Sequence, residues 1–252
     1  MPFDVVRLDE ITLMFPSVRK LVLLPGMDGT GELFADFVTA LPDTFETTTI
    51  KYPSDNCLGY SDLTSFVESA VQSAEPFVLL AESFSTPVAI HYASRKPPGL
   101  KGLVICAGFA SSPLRGWRRS MAILLTPALF SFSLPRFALK FWLVGRNPPL
   151  ALLGSVQRAV SSVKRRVLAT RMRSILACDA RQELGQIDVP ILYIQATHDR
   201  LVPALCFEEI LQARPQASLI RISAPHLVLQ REPQMAVEAV LRFTRELRPG
   251  HE

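Results

Sequence analysis

Short apolar runs alternate along the chain with longer segments whose apolar residues recur every three or four positions. The runs at residues 19–24, 45–52, 77–82, 100–106, 189–196 and 218–222 read as strands, each closed by turn-forming or small polar residues. An alternating segment at residues 5–13 fits a further edge strand. Between the runs, residues 60–74 place Leu63, Phe66, Val67 and Val71 on one helical face, and residues 84–94 carry Val88, Ala89 and Ile90. Helices also fit residues 204–213 and a terminal amphipathic stretch holding Leu229, Ala236, Val237, Val240, Leu241 and Phe243. Strands and helices alternating in this way predict an α/β fold, a mostly parallel sheet covered on both faces.

The rhythm breaks at about residue 111 and resumes near 189, across a helical region interrupted by Pro127, Pro135, Pro148 and Pro149. The pattern therefore predicts a core from residues 1–110 and 186–252, with a helical cap at 111–185. Charge sharpens that division. Residues 111–178 contain twelve Arg or Lys and no Asp or Glu, whereas the whole chain has 27 basic and 23 acidic residues and a net charge of +4. Aromatic residues are interleaved with that charge: Trp117, Phe130, Phe132, Phe137, Phe141 and Trp142. An apolar inner face lining an acyl pocket and a basic outer face meeting something acidic would account for both. Candidate partners are an acidic carrier protein or an anionic membrane surface, with Arg136 and Lys140 able to snorkel over lipid. Nucleic acid is not expected, because no recognition module accompanies the charge.

At 252 residues and 48% apolar composition, the chain suits one large domain with an insertion. No uncharged apolar run reaches the roughly 18 residues that a membrane span needs, and acids in the first ten residues argue against a secretory signal. Cys57, Cys106, Cys178 and Cys206 lack Cys-x-x-Cys spacing, so neither a metal knot nor a disulfide framework is expected. Reduced thiols fit a cytoplasmic location.

The chemistry gathers where strands end. In Phe77-Val-Leu-Leu-Ala-Glu-Ser-Phe-Ser-Thr86 an apolar strand stops at a serine and a helix begins, which is how a nucleophile elbow reads. Ala81 and Ser85 stand where glycines are usual; both are small enough for the close approach of strand and helix. The turn Leu24-Pro-Gly-Met-Asp-Gly-Thr-Gly31 lacks the Gly-Lys-Ser/Thr ending of a phosphate loop. It suits an oxyanion-hole loop instead, with the Met27 amide as one donor and the Phe84 amide, next after Ser83, as the other. Asp28 is expected to tie that loop down. Asp199 follows a strand on the same rim, and His226 follows the last strand, where it can reach Ser83. His91 is too near Ser83 in sequence to serve as its base, and His198 reads as an exposed loop residue.

The order Ser83, Asp199, His226 resembles that of α/β-hydrolases, and the likeness covers nearly the whole chain. Leu-Pro-Gly-Met-Asp-Gly-Thr-Gly looks like that family's oxyanion loop. His-Asp-Arg-Leu-Val-Pro looks like its acid motif, and Ala-Pro-His-Leu-Val-Leu-Gln-Arg-Glu-Pro like its histidine motif. The glycine-rich loop is similar to that of a lipid-ester branch that includes bacterial carboxylesterases and the hydrolase-like part of plant phytyl ester synthases. The cap is similar in general character to that of pimeloyl-carrier methyl ester esterases, which dock an acidic carrier on cap arginines. The resemblance implies a serine carboxylesterase acting on acyl esters without cofactor or metal. Its alternatives are a thioesterase or carrier-protein ester hydrolase, an acyltransferase to lipid alcohols, and a non-catalytic binding protein.

Overall fold

The computed structural model describes residues 18–72, 75–116, 120, 140–145 and 149–247. The strand expected at residues 5–13 lies outside them, as do Trp117, Phe130, Phe132, Phe137 and Arg136 of the insertion. Among the described residues six strands form one parallel sheet: β1 (Lys20–Leu24), β2 (Glu46–Thr49), β3 (Phe77–Glu82), β4 (Leu100–Cys106), β5 (Ile191–Ala196) and β6 (Ser218–Ile222). Their order is β2-β1-β3-β4-β5-β6, with every neighbouring pair parallel.

Because side chains alternate across a strand, each apolar run feeds two cores at once. Leu21, Leu23, Val78, Leu80, Val104, Cys106, Leu192 and Ile194 face one layer. Val22, Leu24, Leu79, Ala81, Leu103, Ile105, Ile191 and Tyr193 face the other. The first layer is closed by α1 (Ala35–Ala40) and, from the end of the chain, by the helix Pro233–Glu246. The second is closed by α2 (Tyr60–Ala70), α3 (Thr86–Ser94) and, later in the chain, the helix Leu205–Ala213. Within the insertion, Lys140–Val144 forms a short wide-turn helical segment, followed by α4 (Leu150–Ser161) and α5 (Arg165–Ala177). The remaining helices are α6 (Arg181–Leu184), α7 (Leu205–Ala213), α8 (Val228–Arg231) and α9 (Pro233–Glu246).

Two expected elements are shortened for visible reasons. The second strand ends at Thr49: Ile50 N–H still donates to Leu23 O as a last rung of the β1–β2 ladder, after which Tyr52 N–H donates to Gly29 O in the loop after β1. The terminal helix is two helices, since Pro233, which has no N–H to continue α8, starts α9 in the first-turn position that suits proline. Ala236, Val237, Ala239, Val240 and Phe243 bury the inner stripe of α9. Each large side chain among them stabilises the fold by about 1.5–3 kcal/mol. The insertion is pinned at its root, where Ser112 N–H donates to Cys178 O and Ala180 N–H to Ala110 O, around an antiparallel bridge between Ser111 and Asp179.

Candidate active site

The chain runs from β1 outward to β2 and then returns to place β3 on the other side of β1. The loops after β1 and β3 thus open side by side at the carboxyl rim, at the switch point where α/β sheets hold their ligands. Ser83 sits at the end of β3, partly exposed, between buried Glu82 and Phe84. Its φ of 47° lies in the left-handed region, which costs a non-glycine residue about 1–2 kcal/mol and lifts the hydroxyl clear of the strand. The imidazole of His226, in the loop after β6, approaches with Nε2 at 2.8 Å from Ser83 Oγ. On its other side Nδ1 stands 2.7 Å from Asp199 Oδ2. An ionised Asp199 only accepts, so Nδ1 carries the proton and Nε2 accepts the bond from the Ser83 hydroxyl.

Asp199 is held in turn. Its Oδ1 accepts the N–H groups of Leu201 at 2.8 Å and Val202 at 3.0 Å, which leaves Oδ2 aimed at the imidazole. The side chains of Asp199 and His226 are each only 4% exposed, so the pair interacts with little screening. Burial alone would depress the His226 pKa; the Asp199 charge and hydrogen bond, with the Glu82 charge, outweigh it and leave the group above its ordinary value. Among the described residues the other two histidines are not part of this line. His91 lies 3.7 Å from Glu183, and His198 is exposed.

The loop after β1 is a tight turn closed by Gly29 N–H to Gly26 O at 3.0 Å. Asp28 fastens it, its Oδ1 accepting the Thr30 N–H at 2.9 Å and the Thr30 hydroxyl at 2.5 Å. Met27 is partly buried there beside Val163, Val167 and Leu168 of the insertion. Phe84 is fully buried, its ring 5.1 Å from that of Tyr60.

Three contributors were missed by reading the chain alone. Arg171 belongs to the basic block expected to face outward, yet it is 1% exposed and points at the loop after β1. Its guanidinium donates to Met27 O at 2.9 Å, Asp28 O at 2.8 Å and Pro53 O at 2.9 Å. It also lies 5.7 Å from the Tyr52 ring centre and 5.9 Å from that of Phe84. Gly29 makes room for it, since a Cβ there would stand 2.5 Å from Arg171 Nη1. The sequence did hold a signal: Arg171 is four residues after buried Val167, on the inner stripe of α5. Second, Ser85 uses its hydroxyl to bond Pro25 O, and it shares a 2.8 Å bond with Tyr52 OH. It therefore stitches the elbow to the loop after β1, a task glycine could not perform. Third, the Glu82 carboxyl is buried beside the serine.

Other features stand outside this arrangement. A polar cleft of about 390 Å³ at the root of the insertion includes Ser111, Arg115, Asp179, Arg181 and Glu209 but not Ser83. Its charges pair with one another, Arg115 with Glu209 and Arg181 with Asp179. Among the described residues no group of three or more His, Cys, Asp or Glu is placed to hold a metal, and no helix is long and apolar enough to cross a membrane.

Known proteins share this architecture. A hydrolase from Oleispira antarctica superposes with a TM-score of 0.78 at 13% identity, covering 92% of this chain and 93% of that one. The enol-lactonase of Burkholderia xenovorans gives 0.74 at 19%, again covering 92% and 93%. An esterase from Exiguobacterium antarcticum gives 0.78 at 14%, covering 91% and 93%. At such identities the likeness is one of fold. In sequence, a polyketide synthase of Burkholderia thailandensis, ThaQ, is 26% identical over 262 aligned positions; these span 90% of this chain but only 12% of that protein. The pattern of the alpha/beta hydrolase family matches residues 21–240, and with so much of its length matched the chain belongs to that family of hydrolases.

Proposed function

We propose that the protein is a serine esterase that cleaves acyl esters through an acyl-enzyme on Ser83. The observation that carries this reading is the continuous line from the buried Asp199 carboxylate through His226 to the hydroxyl of a partly exposed Ser83. In the first step His226 Nε2 takes the hydroxyl proton as Ser83 Oγ attacks the ester carbonyl. The Met27 and Phe84 amides receive the developing oxyanion, and the proton then passes to the departing alkoxide. Asp199 keeps the imidazole in the required tautomer and offsets its positive charge. Water, activated by the same histidine, releases the acid and restores Ser83.

A thioester on a carrier is the second reading, with the same chemistry and a thiolate leaving. Two observations favour it: the likeness to a stretch of a polyketide synthase, and the exposed Arg158, Lys164, Arg166 and Arg173 on and between α4 and α5. Such a face suits an acidic carrier.

The test is hydrolysis of p-nitrophenyl esters from acetyl to palmitoyl, beside acyl thioesters of N-acetylcysteamine, with Ser83→Ala in parallel. The substitution should lower turnover by roughly three to six powers of ten. Thioester cleavage without ester cleavage would select the second reading. Retained activity in Ser83→Ala, or failure of a fluorophosphonate to label Ser83, would refute both.

A further inference from the structure

Glu82 ends β3 one residue before Ser83, and the reaction above gives its carboxyl no task. The rest of that strand, Phe77 to Ala81, is apolar, and Glu82 itself is 2% exposed. Four elements bring groups near it. From α8, Gln230 Nε2 donates to Glu82 Oε1 at 3.0 Å. From the loop after β1, Asp28 converges on the same spot: a Cβ on Gly26 would stand 3.6 Å from Glu82 Oε2 and 3.7 Å from Asp28 Oδ2. β4 sets Cys106 opposite Glu82 in the sheet register, and the loop after β6 brings His226, whose Nε2 stands 2.8 Å from Oγ of the adjacent Ser83 and whose charge acts on the carboxyl. Of these four neighbours only His226 can carry a positive charge.

We infer that Glu82 is a positioning residue for the His226 base, a second carboxylate that stabilises the imidazolium formed when Ser83 gives up its proton. It acts through His226 and never touches substrate. The inference rests on the reading of Ser83, His226 and Asp199 as the reacting line.

The surroundings let this carboxyl change charge in the working range. Burial pushes it up to about 7, opposed by the Gln230 hydrogen bond and the His226 charge, with Asp28 adding to the rise. Gln230 suits either state. Its Nε2 donates to the carboxylate, while its Oε1 is buried without a partner among the described residues. Turned over, the amide would accept a hydrogen bond from the O–H of the neutral acid through that oxygen. Above neutrality the carboxylate supports the imidazolium; below it the support is withdrawn. The acid limb of activity therefore reports two coupled ionisations belonging to His226 and Glu82 together.

Two substitutions test this with opposite signs. Glu82→Gln keeps the shape and removes the charge. His226 then loses a group that raises its pKa, so the acid limb of kcat/KM should become a single ionisation with its midpoint ~0.5–1 pH unit lower. The plateau kcat should fall about five- to thirty-fold, with KM changed less than about twofold. Gln230→Met removes the donor that favours the carboxylate, so the limb should move to higher pH. Imidazole NMR of His226 in a Ser83→Ala background reads the same coupling without turnover, and its midpoint should fall when Glu82→Gln is added. Coincident limbs in wild type and Glu82→Gln, shifts of both variants in one direction, or an unmoved imidazole midpoint would each overturn the inference. An imidazole that responds to Glu82 in a protein whose Ser83 takes no fluorophosphonate would instead sink the esterase reading.

Discussion

Arg171→Met isolates what one buried cation does for the loop after β1. The guanidinium donates to the carbonyls of Met27, Asp28 and Pro53, joining a helix of the insertion to two segments of the core. Hydrogen bonds from a charged donor contribute roughly 1.5–3 kcal/mol each, so three represent about 5–9 kcal/mol. Against this stands the cost of burying the cation, several kcal/mol, visible as a guanidinium pKa that burial lowers. The net loss on substitution should be ~2–4 kcal/mol. For a chain of this size each kcal/mol is worth about 2–4 °C, so the melting temperature should drop by roughly 4–16 °C. Turnover should suffer as well, because Met27 O is one of the anchored carbonyls and a slack loop misplaces the Met27 amide that we propose as an oxyanion donor. One oxyanion donor is worth about 10²–10³ in kcat, so a misplaced one should cost roughly ten- to a hundredfold, with KM nearly constant. Arg171→Lys, whose point charge cannot span three carbonyls, should recover part of the stability and little of the turnover. Thermal unfolding followed by circular dichroism, with ester hydrolysis on the same samples, decides the matter. If Arg171→Met melted within about 1 °C of wild type and kept its kcat, the argument would fail.

Three further outcomes follow from the same geometry. Ser85→Ala cuts the bonds to Pro25 O and Tyr52 OH; it should destabilise by about 1–2 kcal/mol in denaturant unfolding and slow turnover more than Ser85→Thr does. Asp199→Asn can present an N–H to His226 Nδ1 and so move the ring proton to Nε2; kcat should fall about 10³–10⁴-fold, and an unchanged kcat would assign the orienting role elsewhere. Of the four thiols only Cys57 is exposed, and burial pushes those of Cys178 and Cys206 up to about 12. A thiol reagent should therefore modify one cysteine in the native protein and four after denaturation, counted by mass.

The sheet was legible because a strand buried on both faces must be a short apolar run, whatever surrounds it. The run 77–82 could be placed before any contact was known, and so could the turns that follow the strands. Ser83, Asp199 and His226 were each readable as polar residues just past a strand, since a parallel sheet presents all such positions on one rim. Chain order and local pattern were enough to nominate them. Their distances were not in the pattern: residues 143 positions apart meet at 2.8 Å because the parallel sheet brings the loops after β3, β5 and β6 together on one rim. The inward turn of Arg171 left only a faint trace, its helical spacing from Val167, in a block that reads as uniformly basic. Composition counts charges, but only the rotation of α5 decides which of them leaves water. Glu82 makes the same point at shorter range: one carboxyl at the end of an apolar strand is a solvated strand end until Gln230, Asp28 and His226 arrive from three other segments. Sequence thus set the elements and the candidate groups, because hydrophobic period and turn chemistry are local. Tertiary structure set each group's partners and its charge, because burial and proximity are properties of the assembled chain.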